Sequence, residues 1–306
     1  MIEFRNVTKI YRPLFGRPVR AVDEFSLSVE EGEIVGLAGP NGAGKSTLIS
    51  LLLGFLRPTS GTVAIGGHAP RNFIERYGIG YMSELVAIPP AWLLGDALDR
   101  YALLAGVADS GRRTRVDSVI EQLGIQDHRS KRVRHLSKGN LQRLGLAQVL
   151  LREEAIYVFD EPTHGLDPVW TQRFREVLQG LRGTGRATLI ASHNLDELER
   201  VSDRVAIIDR GRLQRLVDTR HPGKEPLSAS YHIVVAVGPE HVTQVFPRAR
   251  QLRAGGGAFE LSVPDLESLN AGLAAIIERG ALVTSVTPAY SSLESQFRQA
   301  VGESVS

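Results

Sequence analysis

Apolar and polar residues alternate over positions 1–10 and again over 22–30, the period of half-buried strands, and the two stretches predict an antiparallel pair. Between them, positions 11–20 are basic and carry two prolines and a glycine, which predicts a loop. Positions 33–38 form a short apolar run that stops at Gly39, and helical spacing follows over 45–53. Short strands are expected at 62–65 and 79–82. From about 85 to 150 the pattern changes. Leu93, Leu94, Ala97, Leu98, Tyr101 and Leu104 recur at helical spacing with no strand among them, as in a helical subdomain inserted into an α/β core. Past 155 strands (156–159, 187–191, 205–208) and helices (near 169–182 and 195–201) alternate again, and Arg210, Gly211 and Arg212 make a tight turn.

Two prolines and a glycine within 220–227 read as a linker, dividing a domain at 1–219 from an accessory domain at 228–306. The second domain reads strand 231–237, helix 240–246, hairpin 250–263 turning at Gly255, Gly256 and Gly257, helix 265–278, strand 281–287 and helix 291–301. That βαββαβ order is ferredoxin-like, a small α+β unit.

Composition narrows the picture without directing it. A length of 306 residues suggests about two domains, and 42% hydrophobic with 23% charged residues is ordinary for a soluble globular chain. The formal net charge is only +2, so charge alone does not argue for a nucleic-acid partner, and none is expected. The chain has no cysteine, which excludes disulfides and thiolate metal sites. Its most apolar run, 48–56, is far short of the roughly 20 residues of a membrane helix. The first residues also lack the charged-then-apolar pattern of a signal peptide. A cytoplasmic location follows as the expectation, with any membrane role exerted through a partner.

Candidate chemistry starts at the end of the 33–38 strand. Gly39, Gly44, Lys45 and Ser46 satisfy G-x-x-x-x-G-K-[ST] between a strand and a helix, the context that a phosphate-binding loop requires. Backbone N–H groups from Gly39 through Asn41, Gly42, Ala43 and Gly44 to Thr47, with the helix N-terminus, suit an anionic ligand. Lys45 is placed for the β- and γ-phosphates of ATP and Ser46 for Mg²⁺. The apolar run 156–159 ends on Asp160 and Glu161, the first fit to hold Mg²⁺ and the second to polarise an attacking water.

Further motifs resemble the ATP-binding cassette (ABC) ATPases. Leu136, Ser137, Lys138, Gly139, Asn140, Leu141, Gln142 and Arg143 resemble the LSGGQ signature; Pro162 to Pro168 resembles the D-loop; His193 after Ser192 resembles the switch histidine; and Tyr11 matches the aromatic that stacks on adenine, or is simply a strand-end aromatic. The motifs run in family order over 1–215. The resemblance implies a second ABC ATPase subunit, as in a homodimer closing head to tail. Ser137 and Gly139 would then reach the partner's γ-phosphate, His193 its own, and Asp167 would link the sites across the interface. It also implies a separate transmembrane permease that would hold the chain peripherally at the cytoplasmic face of the membrane.

Three positions depart from the pattern. Glu84 stands where the family has glutamine and would offer Mg²⁺ a carboxylate; Lys138 replaces a glycine and Asn140 a glutamine. Glu84, together with a tail holding Pro288, Leu293, Glu294 and Phe297, is similar to the ATPases of bacterial ABC-2-type exporters. The expectations are therefore an exporter ATPase, with Trp92 and Leu93 either in a groove for the permease or in the helical core, and residues 228–306 as a packing or dimerisation module. The alternative is a soluble ABC ATPase acting on nucleic acid or the ribosome. His128 and His135 are expected to face solvent.

Overall fold

A computed structural model describes residues 1–13, 16–220, 229–252, 256–288 and 292–302, and the chain divides into two compact units, Met1–Arg220 and His221–Ser306. The first unit begins with β1 (Ile2–Tyr11), β2 (Val19–Val29), β3 (Ile34–Ala38) and α1 (Lys45–Leu52), followed by β4 (Ser60–Ile65), α2 (Pro70–Tyr77) and β5 (Gly80–Met82). Three helices follow: α3 (Leu94–Leu104), α4 (Asp109–Gln122) and α5 (Lys138–Leu150). It ends with β6 (Ile156–Asp160), α6 (Pro168–Leu181), β7 (Ala187–Ser192), α7 (Leu195–Val201), β8 (Arg204–Asp209) and β9 (Arg212–Asp218).

Two sheets share this unit. One is antiparallel, in the order β2-β1-β4, and the other runs β5-β6-β7-β3-β8-β9, with its first five strands parallel and β9 antiparallel at the edge. Every residue of β3, β6 and β7 is buried, as expected for parallel strands covered on both faces. Leu48, Leu51 and Leu52 of α1 join Phe4 and Phe25 of the antiparallel sheet and Val35, Leu37, Val158 and Leu189 of the parallel sheet in one apolar cluster. The helix that opens with Lys45 is thereby anchored to both sheets.

The helical subdomain forms because Leu94, Ala97, Leu98 and Ala102 fall on one face of α3 and are buried against α4 and α5. Trp92 is half-buried, with Arg100 lying 4.6 Å from its ring centroid and Tyr101 6.3 Å away. His128 corrects an expectation. It is half-buried rather than solvent-facing, and its Nδ1 has no partner among the described residues; His135 is exposed.

The structure adds two elements, α2 and β9, and lengthens a third. Val19 and Arg20 belong to β2 rather than to the loop; α2 starts at Pro70, a favourable first helical residue, but is too short to show a period; and β9 begins at Arg212, the last residue of the expected turn, and continues through an arginine-bearing stretch. Its alternating burial appears once β8 supplies the partner.

The two halves of this unit are stitched by charge as well. Arg204 at the start of β8 donates to both carboxylate oxygens of Glu33, at 2.5 and 2.8 Å, and to the carbonyl of Ser28 at 2.9 Å. Burial alone would raise the Glu33 carboxyl, yet the Arg204 guanidinium and the Glu30 N–H hold it below its usual value of 4.5. The folded state therefore releases this proton more readily than the unfolded chain. The contribution is complete above about pH 4.5 and is lost as pH falls further. Arg204→Met is expected to cost about 2 kcal/mol near neutral pH, between an exposed pair and a buried one, with the deficit shrinking in acid. Urea denaturation at pH 7 and pH 4 measures it.

The second unit contains β10 (Ala229–Val237), α8 (Glu240–Val245), β11 (Arg250–Gln251), β12 (Ala258–Val263), α9 (Leu266–Glu278), β13 (Leu282–Pro288) and α10 (Ser292–Val301). Its sheet order is β11-β12-β10-β13, antiparallel throughout, so β12 lies between β10 and β11, which run in the same direction. Ile233, Val235, Phe259 and Leu261 pack with Val242 of α8 and with Leu269 and Ile276 of α9 in a separate core. The linker at 221–227, Gly255 and positions 289–291 lie outside the described residues.

Candidate functional site

The phosphate-loop segment joins β3 to α1, and its two outer glycines have steric reasons to be glycine. A Cβ on Gly39 would stand 2.4 Å from the Ile208 carbonyl oxygen. Gly44 has φ +110°, and a Cβ there would come within 2.6 Å of the Ala21 carbonyl. Gly44 is also the N-cap of α1, so the first N–H groups of a helix anchored in the core face outward at the loop. Lys45 folds back to donate from Nζ to the carbonyls of Gly39, at 2.6 Å, and Pro40, at 3.3 Å. Its side chain is buried, and burial pulls the ammonium below its usual value against the upward pull of Glu161, Asp160 and Glu84.

A cleft of about 670 Å³ opens over this loop. Tyr11, the loop residues Asn41 to Thr47, Glu84, Asp160, Glu161, His164 and His193 are among the residues that line it. Parallel pairing of β6 with β7 and of β7 with β3 sets the ends of three strands beside one another, which is where α/β sheets place ligands.

The acidic pair is buried. Asp160 is pushed up to about 6 by burial first, then by the charges of Glu161 and Glu84, against the relief supplied by Lys45. Negative charge thus exceeds positive charge here before any ligand binds. Glu161 adopts φ +48°, a left-handed conformation uncommon for a residue with a side chain. The carboxylate is locked in place: it accepts from the backbone N–H of His193 at 2.9 Å, from Ser192 Oγ at 3.2 Å and from His193 Nδ1 at 2.8 Å. A carboxylate only accepts, so Nδ1 carries the hydrogen of this bond.

Tyr11 closes one rim, partly exposed, with its hydroxyl 3.5 Å from Thr47 Oγ1 and Lys9 Nζ 5.6 Å from the ring centroid. Mg²⁺ fits the donors present. Ser46 and Thr47 offer hydroxyls, Asp160 and Glu84 carboxylates, all hard oxygens beside an excess of negative charge. Among the described residues no cluster of three or more His, Asp or Glu could hold a metal by itself. A cation that binds through one or two carboxylates plus substrate phosphates suits such a site.

Four predicted residues lie outside this cleft. Gly39 meets it only through its carbonyl, which holds Lys45. Ser137 is the N-cap of α5 and accepts from Asn140 N–H at 3.2 Å; Asp167 is the N-cap of α6 and accepts from Trp170 N–H at 3.0 Å; Gly139 sits in the first turn of α5. Ser137 and Asp167 are exposed and Gly139 is half-exposed.

Two further residues bear on the cleft. Gln142 is buried and donates from Nε2 to the carbonyls of Glu161, at 3.3 Å, and Pro162, at 3.2 Å, joining α5 to the end of β6. His164 lines the cleft itself. The only advance signal for either was its position inside a recognised motif.

Comparison with known proteins follows the same lines. Residues 22–164 match the family described as ABC transporter. The uncharacterized ABC transporter ATP-binding protein YdbJ of Bacillus subtilis is 32% identical over 90% of this chain and 89% of its own. The bacitracin transport ATP-binding protein BcrA of Bacillus licheniformis is 33% identical over 72% of this chain and 71% of its own. Among solved structures, the ATP binding subunit of an ABC transporter superposes with a TM-score of 0.65 at 26% identity, covering 72% of this chain and 91% of that one. Three further curated relatives match over only 61–68% of their own length. No described helix is long and apolar enough to cross a membrane. With the phosphate loop, the acidic pair and the histidine brought to one cleft, and with relatives matching over most of its length, this chain belongs to the ABC transporter ATP-binding protein family.

Proposed function

We propose that the chain binds and hydrolyses ATP as the energising subunit of a bacterial ABC exporter, working on a separate transmembrane permease. The observation that carries this reading is the cleft that unites Lys45 with Asp160 and with a Glu161 held by His193 at 2.8 Å. Lys45 and the loop N–H groups would bind the phosphates, with Tyr11 against the adenine. Glu161 would accept a hydrogen bond from the attacking water as the water oxygen bonds to the γ-phosphorus and the bond from that phosphorus to the bridging oxygen breaks, releasing ADP and inorganic phosphate, with one proton passing to solvent. Nε2 of His193, the ring nitrogen that Glu161 does not take, would contact the γ-phosphate. Mg²⁺, held by Ser46, Asp160 and Glu84, would supply neutralising charge to the phosphate oxygens.

Ser137, Gly139 and Asp167 lie outside the cleft of their own chain, which supports giving them to a second copy in a head-to-tail homodimer. The N-terminus of α5 then offers its positive end to the partner's γ-phosphate. Export as the direction of transport, peripheral attachment to the membrane through the permease, and a packing or dimerisation role for the second unit belong to the same proposal. BcrA, a bacitracin transport protein by name, supports the exporter assignment. Tyr11→Ala is expected to weaken ATP affinity about fivefold, near 1 kcal/mol, with little change in kcat. The proposal as a whole is tested by MgATP turnover of the purified chain. Absence of turnover both alone and with its co-expressed permease would sink it.

A further inference from the structure

Lys138, the lysine that interrupts the signature, does not project away from its own chain. Its stem lies along Gly165, where an added Cβ would meet the lysine Cδ and Cε at 2.8 Å, and its Nζ stands 3.1 Å from Nε2 of His164. An ammonium group only donates, so Nε2 must accept and the ring hydrogen sits on Nδ1. That Nδ1 is 3.7 Å from Oε1 of Glu84, and the His164 ring stands edge-on to the His193 ring at 6.2 Å. The backbone supports this placement. His164 N–H donates to the Glu161 carbonyl at 3.1 Å, and Ser83 Oγ donates to the Leu85 carbonyl at 2.7 Å, fixing the turn that carries Glu84.

We infer that His164 is a positioning residue, a neutral imidazole that takes Lys138 on one nitrogen and steers the Glu84 carboxylate over the nucleotide cleft with the other. Three segments meet through it: the signature turn, the loop after β6 and the turn after β5. A histidine suits this role because one ring both accepts and donates at fixed separation. An outer partner that aims a carboxylate ligand is typically worth about 10- to 100-fold in metal affinity. The chain Lys138–His164–Glu84 also gives a direct route by which a nucleotide engaged by the signature turn could be felt in this chain's own cleft.

The inference rests on the nucleotide reading of the cleft, and one experiment separates the two. Calorimetric titration with a non-hydrolysable ATP analogue is run with Mg²⁺ and with EDTA on the wild type, His164→Phe, His164→Asn and Lys138→Met. The expected result is a loss of about tenfold for His164→Phe with Mg²⁺ and none in EDTA. His164→Asn, whose amide both accepts and donates, should recover to within about threefold of wild type. Lys138→Met should lose less than His164→Phe, and the double substitution His164→Phe/Lys138→Met no more than His164→Phe alone. Equal losses with Mg²⁺ and EDTA, no loss at all, or failure of asparagine to rescue would each overturn the role of His164. A wild type that binds no nucleotide under either condition would instead overturn the reading of the cleft.

Discussion

Glu161→Gln is expected to lower ATP turnover by about 100-fold or more while leaving MgATP affinity within about threefold of wild type. The substitution preserves size and one carbonyl oxygen, so the N–H of His193 keeps its acceptor. It removes the negative charge that a water would use as it is drawn toward phosphorus. The charge is also one of those raising Asp160 to about 6, so its loss eases Asp160 toward the ordinary carboxylate range and does not disfavour a bound cation. An effect confined to kcat is the mark of a group acting on the transition state; a rise in KM at constant kcat would assign Glu161 to binding instead. Steady-state kinetics on the two proteins decide this, with matching thermal melts excluding a folding defect.

Lys45→Ala is expected to fail at the other end of the cycle, with nucleotide affinity lowered about 100-fold through loss of charge-assisted bonds to phosphate. Its Nζ serves two purposes. It closes the loop on the Gly39 and Pro40 carbonyls, and it is the cation set against Asp160, Glu161 and Glu84. Alanine leaves those carbonyls unpaired and the carboxylates uncompensated in a buried setting, so a polyanionic ligand meets more repulsion. Lys45→Arg should not rescue, because a planar fork cannot replace a compact ammonium within the turn. Calorimetry with MgATP measures the loss, and wild-type affinity in Lys45→Ala would remove the loop from phosphate binding.

The chemistry was most legible where it was contiguous in the chain. Gly39 to Thr47 lies on one turn, and its strand-to-helix context is itself a pattern, so the site could be located from the residues alone. Asp160 and Glu161 were legible because a continuously apolar strand has one obvious end. The role of His164 was not legible. It depends on Lys138 and Glu84 converging from segments 26 and 80 positions away, which only the packing of α5 against β5, and the pairing of β5 with β6, brings about. Gln142 was hidden for the same reason. The fold shows the same division. The buried strands β3, β6 and β7 announce themselves by composition, whereas β9 needs β8 to give its alternation meaning, and α2 is too short to show a period. Ser137 and Asp167 show what a single chain leaves open. Each is a sound helix cap within its own fold, and each would gain a second role only against another copy.

The proposed second copy is tested by the molar mass of Glu161→Gln from light scattering. With hydrolysis blocked, MgATP should convert the protein from a 33.4 kDa species to one of twice that mass, and a further Ser137→Ala substitution should oppose the change. A mass that stays at 33.4 kDa while nucleotide is demonstrably bound would contradict a site shared between two chains.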